Sequence, residues 1–170
     1  SVFDLLRLPG VVEIRETFLD PADVWEGLEK CLIKALINLN KMRIREGKSL
    51  AVDISDKLKG MTTEAKVISA REQVVLKEKK KSLTPEEYQS YQKNYDINEE
   101  LSRLVHYIEE TRLLLKTSSS IGKKIDFIAQ EMQRETNTIG SKLQEKTVAT
   151  AVISLKSKIE KIREQAQNIE

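Results

Sequence analysis

The chain has 170 residues, and its 29 Lys and Arg against 27 Asp and Glu leave a net charge of +2, so any nucleic acid would need a local basic surface. Six glycines, three prolines and 33% charged residues favour long amphipathic helices over a turn-rich sheet. One cysteine excludes an internal disulfide, and no apolar run reaches the ~18 residues of a membrane span. We therefore expect a soluble, all-α protein of the reducing cytoplasm.

Residues 1–19 differ from the rest of the chain. Pro9 and Gly10 mark a turn, and residues 11–14, VVEI, have the composition of a short edge strand. A lone strand needs a sheet to join, so we interpret this segment as an extended remnant or linker from a missing N-terminal domain.

Residues 20–95 are predicted to form a long helical arm followed by an irregular helical hairpin. Asp20 is a typical N-cap, because Pro21 occupies the first helical position, where a missing N–H costs nothing. Glu46 falls on the apolar stripe of this helix, and Gly60 is a plausible end of it. The stripe has 4,3 spacing and consists of Leu28, Leu32, Ala35, Leu39 and Met42.

The segment from 61 to 95 is less regular. It contains a lysine-rich run at 77–81, which is more typical of a solvated helix face than of a phosphate site. Thr84 and Glu87 form the pattern of a capping box, which predicts a short helix after Thr84.

Residues 96–170 are predicted to form a C-terminal three-helix bundle. Asp96 and Glu99 form a D-x-x-E box at its start, and three apolar stripes with 4,3 spacing follow, of which Glu135 interrupts the second. Short polar turns between such helices predict an antiparallel bundle or coiled coil. The predicted fold is therefore an elongated all-α bundle with a helical arm, whose remaining apolar faces pack against another copy.

Motifs of well-specified catalytic sites are absent. The sequence contains no GxxxxGK[ST], CxxC, GxSxG or HExxH, and one histidine cannot form a multi-histidine metal site. Glu99, Arg103 and His106 lie within about 60° of one another, opposite the apolar seam of their helix. This polar stripe is either an exposed ion pair beside a surface histidine or part of a functional site.

Two carboxylates flank the seam of the next helix. Glu131 and Glu135 at i,i+4 can chelate a divalent cation through oxygen ligands, and they can equally pair with Lys and Arg. A carboxylate turned towards an apolar seam must be paired, metal-bound or protonated. Glu46 repeats the pattern, since it occupies a seam position beside Arg43 and Arg45. An interhelical salt bridge and a functional site both remain open.

Four segments resemble motifs of the YicC-like endoribonuclease family. They are RIREGKSL at 43–50, YDINEELSRLVHYIEE at 95–110, DFIAQEMQRETNTIGSK at 126–142 and KIEKIREQAQNIE at 158–170. Family chains are longer and have an N-terminal domain before the stretch that corresponds to residues 7–11. The chain is therefore expected to be the C-terminal part of such a protein, with a poor fit between residues 61 and 92.

The resemblance implies an endoribonuclease of the bacterial cytoplasm that depends on Mg²⁺ or Mn²⁺, acts on RNA rather than DNA, and forms a ring-like homo-oligomer, a hexamer. His106 would be the general acid or base, and it would meet the glutamates only across a neighbouring helix or a subunit contact. The predicted catalytic residues are His106, Glu131, Glu135 and Arg134. The predicted metal ligands are Glu131, Glu135, Glu99 and Glu46. The predicted RNA-binding residues are Arg43, Arg45, Arg103, Asn137, Ser141 and Lys142.

Two other functional interpretations remain open. The chain could be a helical oligomerisation and RNA-binding module whose catalysis depends on the absent N-terminal domain. It could also be a coiled-coil scaffold without a role in RNA, in which case RNA binding would be weak and insensitive to salt.

Overall fold

The computed structural model describes residues 2–5, 7, 8, 10, 20–117 and 120–169, and within them every regular element is a helix. The helices are α1 (Val2–Leu5), α2 (Pro21–Ser82), α3 (Pro85–Tyr95), α4 (Asn98–Leu114), α5 (Gly122–Lys142) and α6 (Lys146–Ala166). The all-α prediction is confirmed. The predicted strand at 11–14 lies outside the described residues, whereas residues 2–5 are helical and not extended. No helix in the described part of the chain is long and apolar enough to cross a membrane.

Helix α2 continues well beyond its predicted end. It runs unbroken through Gly60 to Ser82, so the predicted stop at Gly60 and the irregular segment after it are wrong. The apolar spacing continues with Met61, Ala65 and Ile68, all of them buried, and this tertiary packing outweighs the weak helix propensity of glycine. The glycine instead admits a side chain of α6, since a Cβ here would lie 2.7 Å from Lys158 Cε.

The chain divides into two units, Ser1–Ile44 and Arg45–Glu170. In the first unit, the described residues are exposed, and the apolar side chains of α2 there have no cover within the described chain. The predicted stripe is thus helical but solvent-facing in a single copy. Its exposed large members include Leu28, Leu32, Leu39 and Met42.

The second unit has one apolar core. Helix α5 packs between α4 and α6, and their predicted stripes are buried from Ile97 to Thr111, from Ile121 to Ile139 and from Val148 to Ala166. The core also contains side chains of α2 between Ile54 and Ile68. Four helices therefore form this core, where the sequence predicted three.

The helix starts differ in how their backbone N–H groups are satisfied. The predicted capping box precedes α3, where Thr84 N–H donates to Glu87 Oε2 at 2.9 Å and Glu87 N–H donates to Thr84 Oγ1 at 3.4 Å. Before α4, Asp96 Oδ1 accepts a hydrogen bond from Asn98 N–H at 2.9 Å. Glu99 pairs with Arg103 instead of completing a box, so the predicted D-x-x-E box is wrong. The Glu99 carboxylate, paired with Arg103, thus becomes part of a surface on α4 and α5.

Candidate functional site

Glu135 is a buried carboxylate with a partner on a neighbouring helix. Its residue surface is 5% exposed, and Glu135 Oε1 lies 3.6 Å from Arg103 Nη1 on α4. The same guanidinium pairs with Glu99, one turn earlier on α4. A cation held by two carboxylates explains how the seam of α5 accommodates a charge, since an unpaired buried carboxylate would be costly.

Three ion pairs join α4 to α5 along one edge of the bundle, and we call this edge the α4–α5 ridge. Lys142 Nζ lies 2.7 Å from Glu100 Oε1 at one end, and Lys124 Nζ lies 3.3 Å from Glu110 Oε1 at the other. The pair of Arg103 and Glu135 lies between them. Because residue numbers rise along α4 as they fall along α5, the two helices are antiparallel and their polar edges face each other.

His106 lies on the ridge between the second and third ion pairs. Its side chain is 73% exposed, and His106 Nε2 is 3.9 Å from Glu110 Oε2. Glu131 is half-buried one turn from Glu135, and the antiparallel register places it level with residues 106 and 107. The neighbouring helix that was predicted to bring His106 and the glutamates together is therefore α5 of the same chain.

Other predicted residues occupy different surfaces. Arg134, Asn137 and Ser141 are exposed on the outer side of α5. Arg43 lies in the first unit and is exposed on α2. Arg45 and Glu46 are exposed on α2 in the second unit, and no described contact joins them to the ridge. The structure thus places Glu99, Arg103, His106, Glu131, Glu135 and Lys142 along the α4–α5 ridge, where Arg103 is in direct contact with Glu99 and Glu135.

The ridge does not form a complete metal site in one chain. Within the described ranges, no group of three or more His, Cys, Asp or Glu side chains is placed to hold a metal ion. Glu135 is already neutralised by Arg103, and Glu46 lacks a contact with the other predicted ligands. The donor set of a single copy therefore does not fit the predicted divalent cation.

Sequence reasoning missed a second buried glutamate, Glu72 of α2. It is 3% exposed and accepts a hydrogen bond from Ile97 N–H at 3.4 Å, immediately before α4. Burial raises the pKa of Glu72, and the nearby Asp96 carboxylate adds to this effect. The signal was available, because Glu72 continues the 4,3 spacing of α2 just as Glu135 continues that of α5.

Replacing Glu72 by glutamine is expected to stabilise the protein increasingly as the pH rises. A carboxyl group whose pKa is raised in the folded state contributes stability below its unfolded pKa, and this contribution is lost as the pH rises through the folded pKa. Glutamine keeps an acceptor for Ile97 N–H without this loss. Urea unfolding at about pH 4 and about pH 7 measures the difference.

The matched control for Glu72→Gln is Glu78→Gln, which alters an exposed glutamate of the same helix. Its effect on the free energy of unfolding should be small at both pH values. An advantage of Glu72→Gln over the parent that does not grow with pH would contradict the proposed cost of the buried charge.

Comparison with known proteins supports the family resemblance of the sequence motifs and extends it to the N-terminal residues. The family model described as "Endoribonuclease YicC-like, C-terminal" matches residues 51–170, and the one described as "Endoribonuclease YicC-like, N-terminal region" matches residues 1–52. The expectation that the N-terminal domain is absent is therefore wrong, since residues 1–52 match its region.

Two curated relatives are similar over the whole chain. A protein named "Probable endoribonuclease YicC" from Clostridioides difficile (strain 630) is 37% identical over 188 residues. A protein of the same name from Haemophilus influenzae (strain ATCC 51907 / DSM 11121 / KW20 / Rd) is 32% identical over 186 residues. Each comparison covers 100% of this chain and 64% of the relative, so the chain spans less than two thirds of their length.

Proposed function

Because the chain belongs to the YicC-like endoribonuclease family, we propose that it contributes to the endonucleolytic cleavage of RNA through the α4–α5 ridge. The observation that supports this proposal most is the position of His106. It is an exposed imidazole beside a guanidinium that two carboxylates hold in place. A group suited to proton transfer and a group suited to phosphate binding therefore lie on one solvent-facing edge.

His106 would transfer the proton in this reaction. An imidazole can accept a proton from an attacking hydroxyl or donate one to a leaving oxygen close to neutral pH. Glu110, at 3.9 Å, would orient the ring. The exposure of His106 allows a phosphodiester to reach it directly.

Arg103 would bind the scissile phosphate. Its pairs with Glu135 and Glu99 fix the guanidinium, while 53% of the side chain stays exposed to a ligand. Arginine suits this role because its planar fork donates two parallel hydrogen bonds to a phosphate. Arg134 and Lys142 would bind neighbouring phosphates, and Asn137 and Ser141 would contribute further hydrogen bonds.

The predicted Mg²⁺ or Mn²⁺ needs more ligands than one copy brings together. We propose that Glu131 and Glu135 of one copy would share the ion with carboxylates of another, of which Glu46 is the candidate. The exposed apolar stripe of α2 supports such an assembly, because a helix face of this kind is normally buried against a partner. The size implied by the resemblance is a hexamer.

An RNA cleavage assay with and without Mn²⁺ tests this proposal. We expect Glu135→Gln to slow cleavage by roughly ten- to a hundred-fold, because the substitution removes the charge that orients Arg103. Addition of EDTA to the parent chain should also abolish the Mn²⁺-dependent rate. Labelled single-stranded RNA resolved on a gel measures both effects.

Glu109→Gln is the matched control, since it removes a carboxylate of α4 that pairs only with Arg112 among the described residues. It should cleave at the parent rate. Cleavage by Glu135→Gln at the parent rate, with the fold intact by circular dichroism, would contradict the role proposed for the ridge.

A second candidate function is an assembly and RNA-binding module whose catalysis resides elsewhere in the whole protein. The exposed α2 stripe favours it, as does the 64% coverage of the relatives. An inactive chain that oligomerises and binds RNA with a steep salt dependence would support this candidate. RNA binding that is weak and insensitive to salt would instead favour a scaffold without a role in RNA.

A further inference from the structure

The outer side of α5 has the side chains of a single-stranded RNA surface, and we call it the α5 outer strip. Its members lie within about 80° of one another on the helix and include no carboxylate. All are exposed, and none belongs to the buried seam of α5. They are Lys123, Phe127, Gln130, Arg134, Asn137 and Ser141.

Phe127 is the apolar member of this strip. Its residue surface is 63% exposed, whereas the adjacent Ile128 is 3% exposed and belongs to the core. Phe127 therefore lies outside the apolar core and presents most of its surface to solvent. Since an aromatic ring stacks on any nucleobase, an exposed phenylalanine among polar donors suits an unpaired base.

Two cations flank this ring along the helix. Lys123 precedes Phe127 by four residues and Arg134 follows it by seven, which correspond to about 6 Å and about 10 Å along the helix axis. Among the described residues, neither forms an ion pair, whereas Arg103, Arg112 and Arg163 all do. The charges of Lys123 and Arg134 are thus available to phosphates on both sides of the ring.

We propose that Phe127 is a stacking platform for an unpaired base, and that the RNA backbone follows the α5 outer strip between Lys123 and Arg134. This inference rests on the proposed function and specifies its substrate class as unpaired RNA. Bases inside a duplex are already stacked and cannot lie on the ring. Glu131, one turn from Phe127, connects the strip to the ridge, so a strand bound here lies alongside His106.

Binding of a short single-stranded RNA, measured by fluorescence anisotropy, tests the role of the ring. We expect Phe127→Ala to weaken binding roughly five- to a hundred-fold, while binding to a duplex of the same sequence changes little. Ile153→Ala is the matched control, because it truncates a 68% exposed apolar residue of α6. The control should bind both RNAs as the parent does.

A fluorescence experiment reports the stacking itself. The variant Phe127→Trp in a Trp25→Phe background has one tryptophan, because the chain contains a single Trp. Added oligouridine should quench this fluorescence, and the variant should retain the affinity of the parent. Quenching requires a base close to the ring, which a purely structural role of Phe127 would not produce.

The outcomes separate this inference from the proposed function. Parent-like binding by Phe127→Ala, or binding without quenching in the tryptophan variant, would overturn the stacking platform and leave the proposed function intact. A parent chain that neither binds nor cleaves any RNA would overturn both. A lower assembly mass of Phe127→Ala in sedimentation would also overturn the inference, because Phe127 would then be a contact between copies.

Discussion

Replacing His106 by asparagine is expected to lower the rate of RNA cleavage by roughly a hundred- to ten-thousand-fold, the range that a general acid or base contributes. Asparagine has a similar size and a hydrogen-bonding side chain, but it cannot transfer a proton at neutral pH. His106 is 73% exposed, so the substitution should leave folding unchanged. Single-turnover cleavage across a range of pH measures the effect.

The pH dependence of the rate distinguishes proton transfer from simple binding. In the parent chain, ionisation of the imidazole should appear as one limb of the pH–rate profile, and this limb should disappear in His106→Asn. Glu110→Gln is the companion variant, because it removes the carboxylate closest to the ring. It should keep this limb, because the imidazole itself remains. A profile unchanged by His106→Asn would exclude His106 as the proton donor or acceptor.

The sequence was sufficient to predict which residues of α4, α5 and α6 form the core. Ile125, Met132 and Leu155 fall on stripes with 4,3 spacing, and all are fully buried. Such spacing places one face of a helix towards its neighbours whatever the exact arrangement of those neighbours. The burial of these stripes, including the carboxylate of Glu135, therefore follows from local pattern alone.

The partner of Glu135 could not be predicted in the same way. Periodicity indicates which face of α5 is buried, but it does not determine which residue of α4 lies opposite. That depends on the register between the two helices, which the connection after α4 and the packing of the core set together. Arg103 is at an exposed position of its own helix, and only the antiparallel register brings it to Glu135.

At Gly60 the prediction was wrong because a local signal was given too much weight. A glycine inside a helical pattern suggests an end, but the apolar spacing of α2 continues beyond it to Ile68. Treating Gly60 as a stop removed the second part of α2 from the predicted core, and with it the buried Glu72. A local preference of about 1 kcal/mol was thus given more weight than a periodic stripe whose burial contributes several times as much.

The substitution Gly122→Ala is expected to destabilise the bundle by about 1–3 kcal/mol, although alanine is the better helix former. Gly122 is the first residue of α5, and a Cβ there would lie 2.3 Å from Ile169 O and 2.6 Å from Ala166 O. Both contacts are with backbone carbonyls, which cannot rotate away as a side chain can. The last turn of α6 would have to move, and the buried Ala166 would lose its packing.

Gly47→Ala is the control for Gly122→Ala, because the same substitution should there raise the free energy of unfolding instead of lowering it. Gly47 lies inside α2, and a Cβ there would meet no atom within 4 Å. Alanine at this position should stabilise the helix by about 0.5–1 kcal/mol, because it restricts the unfolded chain more than glycine does. The midpoint of urea unfolding, followed by circular dichroism, should therefore fall for Gly122→Ala and rise for Gly47→Ala. If Gly122→Ala were as stabilising as Gly47→Ala, the start of α5 could not approach the end of α6 this closely, and the core would have to close differently at this end.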